Sequence, residues 1–145
     1  MNIEYQEQDR LMCMYNDSIE MLQNQRATEL VKFGDRKFAF MTINLKNRIA
    51  VLEEISTGEY TSDTKATIKN PTTLKNREYI TNDVAKTIKT HESKIAINFG
   101  AELHIIDTNG ILIKKYISNT EINDIVMTEN LIGVVYRNKI QIINI

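Results

Sequence analysis

The sequence has one cysteine, one proline, two histidines, five glycines and no tryptophan among its 145 residues. A single cysteine, Cys13, excludes an internal disulfide and a zinc site built from several cysteines. The glycines form neither Gly-x-Gly-x-x-Gly nor Gly-x-x-x-x-Gly-Lys-Ser/Thr, so a phosphate-binding loop is not indicated. No serine lies in Gly-x-Ser-x-Gly, so the sequence lacks the nucleophile motif that is common in hydrolases. We therefore expect no enzyme.

The sequence also lacks an excess of positive or negative charge and has no long apolar run. The formal net charge is −1, which argues against nucleic acid as a partner. Residues 1–7 are polar and no apolar run approaches about 18 residues, so we expect neither a signal peptide nor insertion into a membrane. As written, the chain is expected to be soluble, and cytoplasmic if expressed alone.

What the sequence does contain is an internal repeat. Three segments align without gaps: Leu11–Leu22, Ile95–Ile106 and Ile132–Ile143. Each has an apolar strand that ends in an aromatic residue, then three residues that suit a turn, then an apolar–polar–apolar–apolar strand. The aromatic residues are Tyr15, Phe99 and Tyr136. This pattern predicts a β-hairpin in each copy, with the aromatic residue in a packing role.

The spacing of the copies predicts a fourth hairpin. The last two copies start 37 residues apart and the first two start 84 apart, so another copy is expected near residue 48 or 49. The run that begins at Ile49 matches it and carries about nine additional residues. We assign the surplus to a long loop, 53–63, followed by a return strand over Lys65–Lys69. Insertions in repeat proteins often map to a binding face, so we predict an interaction loop there. Its candidate residues are Glu54, Ile55, Glu59, Tyr60 and Asp63.

Further strand patterns between the hairpins complete a unit of four short strands in about 37 to 46 residues. The predicted array has fifteen strands, because the last unit stops after its third. A repeat of about 40 residues with four strands is typical of a β-propeller, and its period of two excludes helical repeats. A large β-sandwich stays as the alternative fold. We expect an all-β, propeller-like array of four antiparallel blades, at 1–34, 35–81, 82–118 and 119–145.

The incomplete last blade has its own consequences. It leaves an apolar edge strand at Ile140–Ile145 without a neighbour, which is a hazard for aggregation. We expect the chain to be the C-terminal part of a seven- or eight-bladed propeller, or to close by forming a homodimer through the open edge strand.

The C-terminal part resembles an uncharacterised, mostly clostridial family of propeller-like proteins in the Firmicutes. The resemblance is carried by Lys94–Gly110, Lys114–Tyr116, Glu121–Val126 and Ile140–Ile145. It covers roughly residues 80–145 and implies a domain of unknown function, with no catalytic residue to carry over. Members of the family have an N-terminal membrane anchor and a propeller outside the cytoplasm, so the resemblance implies an extracytoplasmic, anchored setting for longer chains.

Side chains that could carry chemistry are few and scattered. His91 falls in a predicted exposed turn and His104 on the outward side of a strand, with no partners at metal-binding spacing. Asp107 precedes Asn109-Gly110 and suits a turn better than a calcium loop. We therefore expect no cofactor. The function expected is a non-catalytic module that binds protein or cell-envelope partners; the alternative is a propeller that binds a ligand or a quinone-type cofactor.

Overall fold

The computed structural model describes residues 2–7, 10–32, 36–45, 48–57, 61–70 and 72–145. These residues form fifteen strands and no helix, which confirms the predicted all-β class. The strands make four antiparallel sheets, three with four strands and one with three. Within the described residues, no helix is long and apolar enough to cross a membrane.

Strand order follows the chain in every sheet. Sheet 1 contains β1 (Asn2–Glu7), β2 (Arg10–Met14), β3 (Ser18–Gln23) and β4 (Arg26–Lys32). Sheet 2 contains β5 (Arg36–Leu45), β6 (Arg48–Ser56), β7 (Ser62–Lys69) and β8 (Asn76–Thr81). Sheet 3 contains β9 (Thr87–His91), β10 (Lys94–Asn98), β11 (Glu102–Asp107) and β12 (Leu112–Ile117). Sheet 4 contains β13 (Asp124–Met127), β14 (Leu131–Val135) and β15 (Ile140–Asn144).

The ungapped repeats are hairpins, as predicted: β2–β3, β10–β11 and β14–β15. The aromatic residue closes the turn in the same way in each copy, because its backbone N–H donates to the carbonyl three residues later. The distances are 2.8 Å from Tyr15 to Ser18, 2.9 Å from Phe99 to Glu102 and 2.9 Å from Tyr136 to Lys139. The equivalent hairpin in sheet 2 is β6–β7.

The turn predicted at Asn109-Gly110 is also present, between β11 and β12. One Asp107 carboxylate oxygen accepts the backbone N–H groups of Asn109, at 2.8 Å, and Ile111, at 3.0 Å. Gly110 has a φ of 77°, a conformation that side chains with a Cβ rarely adopt. An Asp-x-Asn-Gly sequence therefore fixes this turn by local chemistry alone.

Three apolar cores join neighbouring sheets. Sheets 1 and 2 meet at Met12, Ile19 and Val51. Sheets 2 and 3 meet through a core that includes Leu52, Ile68, Ile95, Ile97 and Ile106. Sheets 3 and 4 meet through a core that includes Leu103, Ile105, Ile125, Ile132 and Val134. Sheets 2 and 3 are thus covered on both faces, because alternate residues of a strand point to opposite sides.

Sheets 2, 3 and 4 stack with their first strands close to one another, since β9 contacts both β5 and β13. The four sheets span residues 2–32, 36–81, 87–117 and 124–144. The strand after Thr81 begins at Thr87 and includes His91, which was expected in an exposed turn.

The core between sheets 3 and 4 gives a test of the stacking. Ile105 is fully buried, so Ile105→Ala should lower the free energy of unfolding by about 2–5 kcal/mol. Ile117→Ala, at an exposed position of the same sheet, should change it by less than about 0.5 kcal/mol. Urea unfolding followed by circular dichroism measures both, and equal losses would contradict the assigned core.

Candidate functional site: a buried bridge between two sheets

The main buried polar cluster among the described residues centres on His104 of β11. Its neighbours Leu103 and Ile105 face sheet 4, so alternation turns His104 towards sheet 2. Its Nδ1 lies 2.8 Å from the hydroxyl of Tyr79 on β8, and its Nε2 lies 2.9 Å from Oε2 of Glu102. The three side chains therefore join the last strand of sheet 2 to the third strand of sheet 3.

The prediction that His104 points outward is wrong. His104 is buried, because the side of β11 that lies opposite the core with sheet 4 is covered by sheet 2. The Phe99 ring lies over the imidazole with 4.5 Å between ring centroids, and the Tyr79 ring meets it edge-on at 6.0 Å. Lys115 Nζ lies 3.3 Å from the same oxygen of Glu102 that His104 contacts. One end of the imidazole is thus enclosed by aromatic rings and the other faces an ion pair.

The hydrogen bonds are all satisfied by a neutral His104 with its proton on Nε2. In this assignment Tyr79 donates to Nδ1, and Nε2–H donates to the Glu102 carboxylate. Burial raises the pKa of Tyr79, with a smaller contribution from the charge on Glu102, so the phenol keeps its proton. The hydrogen bond from His104 lowers the pKa of Glu102, with help from Lys115, so the carboxylate stays charged.

The order hydroxyl, imidazole, carboxylate is also the order of an activated nucleophile, its base and the group that orients the base. A hydroxyl can be activated by an adjacent base or by a lowered pKa. Burial raises the pKa of Tyr79, so only the first route is open to it, and the contacts fit a hydrogen-bonded connection as well as a nucleophile.

The next pair of sheets contains a similar connection. Tyr116 on β12 lies 37 residues after Tyr79, and Gln141 on β15 lies 37 residues after His104. The Tyr116 hydroxyl donates to Gln141 Oε1 at 3.0 Å and lies 3.3 Å from the Tyr136 hydroxyl. A tyrosine on the fourth strand thus binds a polar residue on the third strand of the following sheet in both places. The 37-residue spacing of Tyr79 and Tyr116 was the sequence signal that could have revealed this bridge.

The residues of the predicted interaction loop lie mainly in strands. Glu54 and Ile55 belong to β6 and Asp63 belongs to β7, with Ile55 paired to Asp63. Glu59 and Tyr60 lie outside the described residues. The loop boundaries 53–63 were therefore wrong, because most of the insertion extends the hairpin.

The longer hairpin is held by ordinary antiparallel pairing and by one contact to the next segment. Strands β6 and β7 form eight residue pairs, against five in β10–β11 and in β14–β15. Beyond them, Thr57 N–H donates to Thr61 O at 3.0 Å. The Thr64 hydroxyl donates to Asp83 O at 2.6 Å and accepts from Ala85 N–H at 2.9 Å, which fixes the hairpin against the link to sheet 3.

The second histidine and two clefts lie apart from this bridge. His91 ends β9, and its Nδ1 lies 3.6 Å from Glu129 Oε2. In the part of the chain that the structure describes, no three His, Cys, Asp or Glu side chains are grouped to hold a metal ion. A cleft of about 240 Å³ is lined partly by Arg48, Lys75 and Arg77, and another of about 650 Å³ by Glu121, Arg137 and four further residues. Neither cleft includes His104.

Comparisons with known proteins add little to this geometry. No protein-family model and no curated protein matches the sequence. A solved structure titled "AfRom2 CNH domain" is similar to this chain with a TM-score of 0.39 and 14% sequence identity. The alignment covers 94% of this chain and 63% of that chain, so this chain spans less than two thirds of its length. A likeness this weak carries no argument about function.

The bridge predicts a coupled loss of stability. Tyr79→Phe leaves the buried Nδ1 of His104 without its donor and should cost about 1–3 kcal/mol. In a His104→Leu background the same substitution should cost much less, because the acceptor is already gone. Chemical unfolding of the two single variants and the double variant measures this coupling, and additive losses would show that the two groups do not act together.

The lowered pKa of Glu102 predicts that the stability of the fold decreases at acidic pH. A carboxyl group whose folded pKa lies below its ordinary value of 4.5 stabilises the fold fully above that pH. This contribution disappears as the pH falls below 4.5 through the folded value. Glu102→Gln should therefore flatten the loss of stability in that range, and His104→Leu should do the same because it removes the largest cause. Unfolding curves at several pH values test this; equal slopes for wild type and Glu102→Gln would contradict it.

Proposed function

We propose that this chain is a propeller-type stack of β-sheets that binds a partner protein and performs no catalysis. The stacking of sheets 2, 3 and 4 with their first strands together supports the propeller arrangement. The buried polar bridge supports a structural use of the best candidate for chemistry, because its hydrogen bonds join sheet 2 to sheet 3 through a buried imidazole. The observation that carries the binding function is the composition of β12.

Strand β12 is the edge of sheet 3 opposite β9. Leu112, Ile113 and Ile117 on this strand are exposed, and Ile111 just before it is exposed as well. A soluble protein usually places charged residues along such an edge to prevent pairing with other chains. Strand β12 also has two exposed lysines, Lys114 and Lys115. Four exposed aliphatic side chains beside them favour contact with another protein, which would cover their surface and pair with the backbone of the edge.

The proposal is tested by introducing lysines on the exposed edge of β12. Proteins captured by the wild-type chain and cross-linked to it are identified, and their binding is measured again with Ile113→Lys/Ile117→Lys. Binding should weaken by roughly tenfold or more, since truncating or charging a central apolar contact has effects of that size. Ser93→Lys/Asn130→Lys, at exposed turn positions, is the matched control and should bind like wild type. Captured proteins that bind both variants with wild-type affinity would refute binding at this edge.

A further inference from the structure

Sheet 4 has an apolar face on the side away from sheet 3. Residues Val126, Gly133 and Ile142 are paired across its three strands, so they lie in one row on this face. A Cβ atom at Gly133 would meet Val126 Cγ2 at 2.7 Å, Ile140 Cγ2 at 3.6 Å and Ile142 Cδ1 at 3.6 Å. Three aliphatic side chains therefore close over a glycine and make a continuous apolar surface, which we call the sheet 4 outer face.

The repeat shows what these positions do elsewhere in the chain. Ile140 and Ile142 lie 37 residues after Leu103 and Ile105. Leu103 and Ile105 are 0% exposed because sheet 4 covers them, whereas Ile140 is 63% and Ile142 61% exposed. In sheet 1 the aligned residues are Ile19 and Met21, and both are buried in the core with sheet 2. In sheets 1 and 3, then, the residues at these positions pack against the following sheet.

Sheet 1 has the complementary kind of face, on the side away from sheet 2. Leu11, Leu22 and Ala27 are paired across three strands, with the two leucines half-buried and Ala27 exposed. The residues aligned with these leucines in sheet 3 are Ile95 and Ile106, which are fully buried in the core with sheet 2. We call Leu11, Leu22 and Ala27, together with Tyr15 at the aromatic position, the sheet 1 outer face. It is the type of face that receives a preceding sheet.

We infer that the occupant of the sheet 4 outer face is the sheet 1 outer face of a second copy of this chain. Each copy has both a sheet 1 outer face and a sheet 4 outer face. When the sheet 1 outer face of a partner covers the sheet 4 outer face of one copy, the sheet 4 outer face of that partner can cover the sheet 1 outer face of the same copy. Such a head-to-tail contact closes if each copy spans half a turn. Two copies would then form a ring of eight sheets, within the range of four to eight blades found in propellers. This inference concerns other faces, and another partner, than the edge strand β12.

The mass in solution is the first test. Light scattering after size exclusion should give twice the 16.8 kDa of one chain for the wild type. Ile140→Lys/Ile142→Lys, on the sheet 4 outer face, should give a single chain, and so should Leu22→Lys/Ala27→Arg on the sheet 1 outer face. If the latter pair prevents folding, Ala27→Arg alone, at an exposed position, carries the same expectation.

Mixing the two variants tests whether the contact joins unlike faces. Each variant lacks one face and keeps the other, so neither associates with itself, but together they can form one intact interface. An equimolar mixture should therefore give a two-chain species that contains one copy of each variant. Pairing of two β15 edges, the dimer expected from the sequence, joins like surfaces and would be insensitive to Leu22→Lys/Ala27→Arg.

The remaining outcomes overturn the inference. A monomeric wild type, a ladder of growing oligomers, or a mixture that stays monomeric would each exclude the closed pair of copies. Ile113→Lys/Ile117→Lys, on β12, should keep the wild-type mass. Weaker partner binding by this variant at the mass of two chains would support both ideas. A monomeric wild type that still binds partners through β12 would overturn this inference alone, and a dimeric variant that binds partners like the wild type would overturn only the proposed function.

Discussion

The constraint on which the rest of this structure depends is that its sheets are apolar on both faces. In sheet 3 the alternation along β10 and β11 places isoleucine or leucine on each side, so water can be kept from both only if a sheet lies on either side. This explains why successive sheets stack. It also explains why equivalent positions of the repeat face the same way in different sheets. Met12 in sheet 1 and Ala96 in sheet 3 both pack in the core with the following sheet.

Apolar faces alone do not fix how one sheet lies on another, because their attraction has no direction. The two tyrosine connections supply direction. The Tyr79 hydroxyl meets His104 at 2.8 Å and the Tyr116 hydroxyl meets Gln141 at 3.0 Å, so each following sheet is held at one position. A slip of sheet 3 on sheet 2 would leave the buried imidazole of His104 unpaired, which costs more than the hydrogen bond gains. The contribution of His104 is therefore best understood as specificity of packing.

Much of the fold could be predicted from the sequence because its signals are local. Alternation and the 37-residue period predict the hairpins, and Asp107 with Gly110 predicts a turn. His104 was misjudged for a physical reason: alternation shows that a residue points away from its neighbours, but not whether water or another sheet lies there. The hairpin of sheet 2 was misjudged because additional residues can continue a ladder as readily as they can form a loop. The bridge itself joins residues 25 apart, Tyr79 and His104, and only the fold brings them together.

An array in which each sheet repeats the contacts of the one before has two unlike ends. Stacking leaves one face that would receive a preceding sheet and another that would pack against a following one, and further sheets cover both only if the array closes into a ring. Here Ile140 and Ile142 stand at positions that are fully buried in sheet 3, so the solvated face retains the composition of an interior. Large solvated faces of that kind mark sites of association. Because the two end faces complement each other, the packing rule that orders the sheets within one chain also applies between two chains, and a ring results where each chain spans half a turn.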